Sequence, residues 1–398
     1  MIGGIAGDII GSPYEGRRAK EYAFPLFVPT CRFTDDTVMT LAIASALLDR
    51  ASYRDRMWEL GRRYPHAGYG GRFRAWLASN DPQPYNSYGN GSAMRVGAIP
   101  WFFDGEENVL REALRSAEPT HGHPEGIKGA QATALAIRMA LDGRGKPQIR
   151  RRVAETFHYD LSRSYEQLRE HPGFDVTCQG TVPPAIIIFL ESRSYEDAVR
   201  KAVHLGGDSD TLACIAGSVA EAFYGDVPEP IVREVAKRLT MDLLGILRDA
   251  TARHGAGRTR ALLQPMIALR EAIGSLEGIE LVPATVNADC LIARVARDGR
   301  GSKADAVCGF IRAALGLRYG IIGVDFAGWD PGAACGGIAD LLAEAAAACT
   351  VLIVRPAPVL AAALQPKLPR GSRVLEKLEH AVRFADLLAV KALGRIGD

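Results

Sequence analysis

The chain has 398 residues, of which 47% are apolar and 24% are charged, and its formal net charge is +2. This composition is typical of a soluble globular protein, and it excludes the basic excess by which a protein holds nucleic acid electrostatically. The seven cysteines are scattered without a C-x-x-C pair. That distribution excludes the usual zinc and disulfide patterns and favours a reducing compartment.

The first residues, 1–8, lack the basic segment of a signal peptide. No run along the chain reaches the ~18 apolar residues of a membrane span. We therefore expect a cytoplasmic protein that does not bind membranes.

Apolar residues at helical spacing, divided by Gly and Pro turns, predict an almost entirely helical region up to about residue 250. The predicted helices are 36–50, 54–63, 107–116, 125–141, 147–157, 182–192, 195–204, 211–224 and 229–249. Residues 253–258, which read RHGAGR, are typical of a linker.

Beyond this linker the pattern changes from helical to mixed. Strand candidates at 281–283, 291–295, 319–324 and 351–354 lie between Ala- and Leu-rich helices. The sequence therefore predicts an all-α domain at 1–255, followed by a small α/β domain at 259–398 to which no function is assigned. Residues 325–330 fit either a binding loop or, as we favour, a strand end with a packed aromatic side chain.

Two short acidic motifs resemble each other although they lie far apart. Residues 33–37 read FTDDT and residues 206–211 read GGDSDT, and each precedes a predicted helix. A single Asp or Thr in this position is usually an N-cap, but a cap needs only one side-chain oxygen. If the two motifs meet in space, their carboxylates repel one another unless cations lie between them. The pattern therefore indicates a site for two Mg²⁺ or Mn²⁺ ions.

The front of the chain supplies a further acidic signal. Glycines at positions 3, 4, 7 and 11 predict a first helix that packs closely against a neighbour. We expect Asp8, within this helix, to be a structural residue satisfied by buried donors. Glu15 follows Pro13 in a loop, and it is either an ordinary exposed glutamate or a side chain that swings over a ligand.

A glycine-rich segment lies in the middle of the helical region. Residues 88–95 read YGNGSAMR, which predicts either a tight turn or a nest of backbone N–H groups suited to a pyrophosphate. Arg95 is then a phosphate partner or a salt-bridged structural arginine. We expect His121 to contact a ligand and His123 to be structural, because no third soft metal ligand accompanies them.

Six motifs in this order resemble the ADP-ribosylglycohydrolase family over residues 1 to about 250. They are residues 7–15, 33–37, 90–95, 120–124, 178–185 and 206–211. The resemblance implies an all-helical bundle with a binuclear Mg²⁺ or Mn²⁺ centre. Its metal ligands carry over to Thr34, Asp35, Asp36, Asp208, Asp210 and Thr211.

The same resemblance assigns further residues to the site. Glu15 takes the position of a mobile glutamate that gates it, and His121 and Val176 flank the nucleotide. The diphosphate and ribose loop carries over to Gly89, Asn90, Gly91, Ser92, Ala93, Met94 and Arg95.

The activity implied by the resemblance is metal-dependent hydrolysis of the N- or O-glycosidic bond between ADP-ribose and an acceptor, either a protein side chain or a small molecule. Asp35 and Glu15 are the expected catalytic residues. Nucleic acid is expected as a partner only where one of its ends carries ADP-ribose. Two alternatives remain open: a binuclear-metal phosphohydrolase of ADP-ribose-like nucleotides, and a non-catalytic ADP-ribose reader.

Overall fold

The computed structural model describes residues 1–170, 173–225, 227–253, 257–282, 289–296, 302–327, 329, 331–364, 366–368 and 372–397. These residues fall into two units. The first unit comprises 1–27, 31–235 and 239–263, and the second comprises 28–30, 236–238 and 264–398. The predicted domain boundary at residue 255 and part of the predicted linker, 254–256, lie outside the described residues.

Helices make up the first unit. They are α1 (Ile2–Gly11), α2 (Asp35–Asp49), α3 (Tyr53–Arg63), α4 (Gly71–Ala78), α5 (Gly91–Arg95), α6 (Ile99–Phe102), α7 (Glu106–Ala117), α8 (Pro124–Leu141), α9 (Lys146–Phe157), α10 (Tyr165–Glu170), α11 (Cys178–Glu191), α12 (Tyr195–Leu205), α13 (Ser209–Tyr224), α14 (Glu229–Arg238), α15 (Met241–Arg253) and α16 (Gly257–Gly274), of which α14 and α16 each extend into the second unit. The β-structure described in the first unit consists of isolated bridges, such as the one between Asn86 and His121. The expectation of a helical region before residue 250 is therefore confirmed.

Two helix predictions were wrong in their bounds. The helix predicted at 182–192 begins at Cys178, because Thr177 caps it by accepting a hydrogen bond from the backbone N–H of Gly180 at 3.1 Å. The segment predicted as one helix at 229–249 is divided into α14 and α15, with Leu239 in an extended conformation between them. The predicted linker is also shorter than expected, since α16 already begins at Gly257.

Glycines in α1 allow the backbone of this helix to touch the backbone of α13. A Cβ atom on Gly7 would lie 2.1 Å from the carbonyl oxygen of Ala213, and one on Gly11 would lie 2.5 Å from the Cα of Asp210. Distances this short leave no room for any side chain, so the predicted close approach is confirmed. The contact brings Asp8 of α1 beside the first turn of α13, which carries the second acidic motif.

The second unit contains a five-stranded sheet in the order β1 (Ile279–Val282), β2 (Cys290–Val295), β3 (Ile321–Asp325), β4 (Thr350–Val354) and β5 (Arg373–Leu375). The first pair of strands is antiparallel and the following pairs are parallel. The connecting helices are α17 (Lys303–Gly316), α18 (Cys335–Ala348) and α19 (Pro358–Leu364), and α20 (Leu378–Gly397) follows the last strand. A strand is therefore present at each of the four predicted places, while β5 was not predicted. Pro283, the last residue of the prediction 281–283, lies outside the described residues.

One face of this sheet is covered by α20. Ala381 and Ala385 of α20 pack in one cluster with Ile292, Ile321 and Leu352 from three neighbouring strands. After β3, Phe326 is fully buried and stacks on Trp329, as favoured from the sequence. Among the described residues, no helix combines the length and the apolar character needed to cross a bilayer.

Candidate active site

The first acidic motif forms the start of α2. Thr34 is the N-cap, and its hydroxyl oxygen accepts a hydrogen bond from the backbone N–H of Asp36 at 3.3 Å. This satisfies one orphan donor of the helix, as a cap does. Capping by Thr34 leaves the carboxylates of Asp35 and Asp36 available for another purpose.

Asp8 is held by donors from this same helix start. Its carboxylate accepts hydrogen bonds from the backbone N–H of Thr34 at 2.9 Å, from the Thr34 hydroxyl at 2.6 Å, and from the backbone N–H of Thr37 at 3.1 Å. The Thr37 hydroxyl is a fourth donor. The contacts agree with the structural role expected for Asp8, and they fix its carboxylate next to Asp36.

The second acidic motif forms the start of α13. Asp208 precedes the helix, and its Oδ2 accepts a hydrogen bond from the amide Nδ2 of Asn90 at 2.6 Å. Asp210 lies in the first turn, where its Oδ1 accepts from the backbone N–H of Thr211 at 3.0 Å. Asn90 therefore connects the glycine-rich segment to the second acidic motif.

The two motifs meet in space. One group of carboxylate oxygens comes from Asp8, Asp36 and Asp210, and a second comes from Glu15, Asp208 and Asp210; within each group the oxygens lie no more than 4.8 Å apart. Asp210 belongs to both groups and so joins them. Asp35 belongs to neither group among the described residues, although it lines the same cavity.

Burial and mutual repulsion make these carboxylates hard to ionise. Burial, followed by the charge of Asp8, raises the pKa of Asp35 to about 8, and burial raises the pKa of Asp8 to about 6 in spite of its four donors. The pKa values of Asp36 and Asp210 lie well above the usual range, again chiefly through burial and then through neighbouring carboxylates. Burial, with a smaller effect of Asp208, also raises the pKa of Glu15.

The donor set fits a hard divalent cation. Asp36 Oδ1 is buried without a hydrogen-bond partner. Its Oδ2 lies 3.4 Å from the Thr211 hydroxyl and 3.5 Å from the Thr34 hydroxyl, whose single proton is directed at Asp8. No ion pair in the described part of the chain involves these carboxylates. Oxygen ligands of this kind are those that Mg²⁺ and Mn²⁺ prefer.

A cavity of about 390 Å³ opens over the two groups. Its volume lies within the range of small-molecule sites. The predicted residues that line it are Glu15, Thr34, Asp35, Asp36, Gly89, Asn90, Gly91, Met94, Arg95, His121, Val176, Asp208, Asp210 and Thr211. Residues predicted from six separate stretches of sequence are thus brought to one cavity.

Only some residues of the glycine-rich segment, 88–95, line the cavity. Ser92 and Ala93 are buried and do not line the cavity, and the Ser92 hydroxyl donates instead to the carbonyl of Gly126 at 2.7 Å. Arg95 borders the cavity, but its Nη2 donates to the carbonyl of Ser116 at 2.7 Å and to the hydroxyl of Thr120 at 2.9 Å. Both acceptors are uncharged, so among the described contacts Arg95 forms no salt bridge of the kind expected for a structural arginine, although its guanidinium holds the segment in place.

The two histidines lie where their predicted roles place them. His121 lines the cavity, and burial lowers its pKa well below the usual range, so the imidazole is neutral at pH 7. His123 caps α8, its Nδ1 accepting from the backbone N–H of Glu125 at 3.1 Å. Val176 remains 47% exposed at the mouth of the cavity.

Several lining residues were not predicted from the sequence. Arg72 stacks its guanidinium over the ring of Tyr85 at 4.9 Å, and both line the cavity with Arg32. Asp8 was predicted as structural only, yet its oxygens belong to the first carboxylate group. The signal for Asp8 was its position between Gly7 and Gly11, which places it on the side of α1 that touches α13.

The raised pKa values predict how the metal-free chain responds to pH. A carboxyl group with a raised pKa binds its proton more tightly in the folded than in the unfolded state, so the stability it confers is lost as the pH rises through the folded pKa. For Asp8 and Asp35 these values are about 6 and about 8. In the presence of a chelator we therefore expect the thermal midpoint to fall between about pH 5 and about pH 8.

Thermal unfolding at several pH values measures this effect. Asp36→Asn is the control, because it removes a carboxyl group whose own pKa lies well above the usual range and should flatten the slope. A midpoint that rises over this range, or an equal slope in the variant, would contradict the prediction.

Comparison with known proteins agrees with this geometry. A family profile described as ADP-ribosylglycohydrolase matches residues 1–260. ADP-ribosylhydrolase ARH3 of Mus musculus is 26% identical over 312 residues, covering 58% of this chain and 84% of the mouse protein. ADP-ribosylhydrolase ARH3 of Homo sapiens is 25% identical over 311 residues, covering 58% and 86%.

A solved structure titled "ADP-ribosylglycohydrolase-related protein complex" aligns with 65% of this chain and 95% of its own, at 26% identity and a TM-score of 0.49. The family profile extends over more than half of the sequence and includes every residue that lines the cavity. The chain therefore belongs to the ADP-ribosylglycohydrolase family.

Proposed function

We propose that the chain hydrolyses the N- or O-glycosidic bond between ADP-ribose and an acceptor, a protein side chain or a small molecule, and that the reaction depends on two Mg²⁺ or Mn²⁺ ions. The observation that carries this proposal is the meeting of two sequence-distant acidic motifs under one cavity. A nucleotide-binding protein without catalysis has no need for buried carboxylates that destabilise one another.

We assign the ribose, the diphosphate and the base of the substrate to different parts of the cavity. The acidic groups lie under one part of it, which we assign to the ribose that carries the acceptor. Gly89, Asn90 and Gly91 border the part assigned to the diphosphate, and His121 and Val176 flank the part assigned to the nucleotide base. Neutral His121 suits an uncharged ring better than an imidazolium would.

The cations are assigned to the ligands expected from the family: Thr34, Asp35, Asp36, Asp208, Asp210 and Thr211. Asp8 supports this set, because its oxygens lie in the first carboxylate group. When bound, such ions neutralise the carboxylates, orient ribose hydroxyls and lower the pKa of water. The orphaned Oδ1 of Asp36 is the atom best placed to gain from a cation.

Proton transfer is assigned to Glu15. Water adds to the anomeric carbon as the bond from that carbon to the acceptor breaks, so water loses a proton and the acceptor gains one. A carboxyl group with a raised pKa holds its proton more readily than an ordinary one, which suits a group that both accepts and releases a proton. Glu15 has such a pKa, and its carboxylate lies beside Asp208 and Asp210 at the cavity. Asp35, with a pKa of about 8, is assigned to contact the ribose or the attacking water.

We assign catalysis to residues 1–255 and leave the small α/β domain, 259–398, outside the reaction. This division is supported by the cavity, whose lining residues all precede residue 212.

Product identification tests the proposed reaction. Peptides ADP-ribosylated on arginine or on serine are incubated with the full chain in Mg²⁺, and the products are separated and weighed by mass spectrometry. We expect free ADP-ribose and the unmodified peptide. AMP as the product would support the phosphohydrolase alternative, and intact peptide that stays bound would support an ADP-ribose reader.

A further inference from the structure

A second candidate site lies in the small α/β unit, at the carboxyl edge of its parallel strands. Arg294 lies near the end of β2, Asp325 ends β3, and Arg355 directly follows β4. The strand register places Arg294 opposite Asp325, and Asp325 opposite Val354. Loops at the ends of strands often carry binding residues, because they lie at the surface while the strands hold them in position.

A buried carboxylate holds two arginines at this edge. Asp325 is fully buried, and it accepts hydrogen bonds from Nε of Arg294 at 3.3 Å and from both Nε and Nη2 of Arg355 at 3.0 and 2.5 Å. The two arginine side chains themselves are 41% and 37% exposed. Arg294 also makes a long contact of 3.8 Å with the exposed carboxylate of Glu280, so the four charges balance. What this edge offers an anion is therefore the exposed N–H groups of two guanidiniums that Asp325 holds in place.

A cavity of about 640 Å³ lies against the two arginines. Its wall includes Val282 of β1 and the first turns of α20, with Leu378 and Val382, which also pack against the apolar cluster of the sheet. Lys377 and Arg383 add positive charge to the lining, while Glu376, Glu379 and Asp386 add negative charge. The cavity therefore combines an apolar wall, a fixed pair of guanidinium groups and a rim of mixed charge.

The backbone near this edge is also unusual. Arg355 has a φ of 45° and Ala327, two residues after Asp325, has a φ of 50°. Residues other than glycine adopt this left-handed conformation at an energetic cost, which proteins retain most often at ligand sites. At position 355 this conformation accompanies the bidentate contact with Asp325.

We propose that this cavity binds a small organic anion, whose carboxylate or phosphate group contacts Arg294 and Arg355 and whose apolar part lies against Val282, Leu378 and Val382. Asp325 accepts from Nε and Nη2 of Arg355 and from Nε of Arg294, and the remaining N–H groups of the two guanidiniums can donate to either kind of oxyanion. The lining carries three acidic side chains beside Lys377 and Arg383, a mixture that favours a small ligand over a polyanion. The proposal does not depend on the hydrolase activity, since every residue involved follows residue 281.

Direct binding to the full chain tests this site. The probes are phenyl phosphate and benzoate, which separate a phosphate from a carboxylate ligand, with phenol as the uncharged reference and chloride to match the ionic strength. Isothermal titration should give saturable binding of at least one anion and none of phenol.

Matched variants locate the binding. Arg294→Lys and Arg355→Lys keep a positive charge beside Asp325 but lose the fork, and each should weaken the anion about tenfold, the loss expected for a charge-assisted hydrogen bond. Arg383 is exposed and does not contact Asp325, and Arg383→Gln should weaken binding of the anion severalfold. Arg312→Gln, an exposed arginine of α17 away from the cavity, should bind as the wild type does.

The alternative is that Asp325 and the two arginines only fasten the strand ends. In that case neither anion binds saturably, or both bind equally well to all four variants, and either result overturns the proposal. Circular dichroism of each variant shows whether the fold is kept, and Arg383→Gln remains informative if a variant at Arg294 or Arg355 does not fold.

Discussion

Asp36→Asn and Asp210→Asn are each expected to reduce turnover of an ADP-ribosylated peptide by at least about 100-fold, the loss that metal enzymes show even when a residue supporting the ligands is removed. Each variant removes a charged oxygen donor while keeping nearly the same side-chain volume. Asp210 belongs to both carboxylate groups, so its loss affects the whole site.

The same variants should not destabilise the metal-free chain. Burial and neighbouring carboxylates raise the pKa of Asp36 and of Asp210 well above the usual range. A neutral amide removes that repulsion, so the thermal midpoint in chelator should be equal to or above that of the wild type. Loss of activity without loss of metal-free stability would indicate that these carboxylates serve to bind a cation and do not stabilise the fold.

Asp55→Asn is the matched control. Asp55 also lies in the first turn of a helix, after the N-cap Ser52 of α3, but it is exposed and far from the cavity. Its replacement should leave turnover unchanged and cost only the ~0.3–1 kcal/mol of a first-turn acid. If Asp36→Asn and Asp210→Asn behaved in the same way, with small losses that are insensitive to metal, both motifs would be no more than helix starts.

Glu15→Gln is expected to lower turnover by about 100-fold or more, the contribution typical of a general acid or base. The amide keeps the size and polarity of the side chain but cannot accept or release a proton in the reaction. Affinity for ADP-ribose, measured by calorimetry, should change only severalfold, because the product already lacks the bond that is broken.

Glu21→Gln provides the control for this second variant. Glu21 follows in the same loop region, is exposed and does not line the cavity. Wild-type turnover in Glu15→Gln would show that Glu15 is an ordinary loop residue without a role in the reaction. A loss of ADP-ribose binding equal to the loss of turnover would assign it to ligand binding instead of proton transfer.

The sequence predicted the local parts of this site well, since each depends on few neighbouring residues. Thr34 caps α2, and His123, followed by Pro124, caps α8, so both positions follow from the rules for helix starts. Asp208 also precedes a helix, although its side chain does not cap it. The strand Thr350–Val354 is apolar after its first residue, and Cys290–Val295 is apolar except for Arg294, as expected of largely buried parallel strands.

Other features depend on tertiary contacts that no local pattern contains. The division between α14 and α15 at Leu239 interrupts a stretch whose apolar spacing is helical on both sides. Gly91, Ser92 and Ala93 all lie in the first turn of α5, but of these three Gly91 lines the cavity and the other two are buried. Asp8 joins the carboxylate group because α1 touches α13, and that proximity follows from the fold of the whole helical unit.

In the second unit, too, some features depend on tertiary contacts that the sequence pattern does not contain. Asp325 was treated as part of a strand end, and the ion pairs that it forms with Arg294 and Arg355 arise from the register of three strands. Strand β5, with three residues, is too short for an alternation pattern to identify.

Metal binding to the stripped chain tests most directly whether the two acidic motifs form one site. Metal-free wild type, Asp36→Asn and Asp210→Asn are titrated with Mn²⁺ by isothermal calorimetry under identical conditions. A single shared site predicts that a variant in either motif loses most of the Mn²⁺ binding seen in the wild type, and that Asp55→Asn loses none. Full Mn²⁺ binding in both variants, with the stoichiometry and affinity of the wild type, would contradict the account.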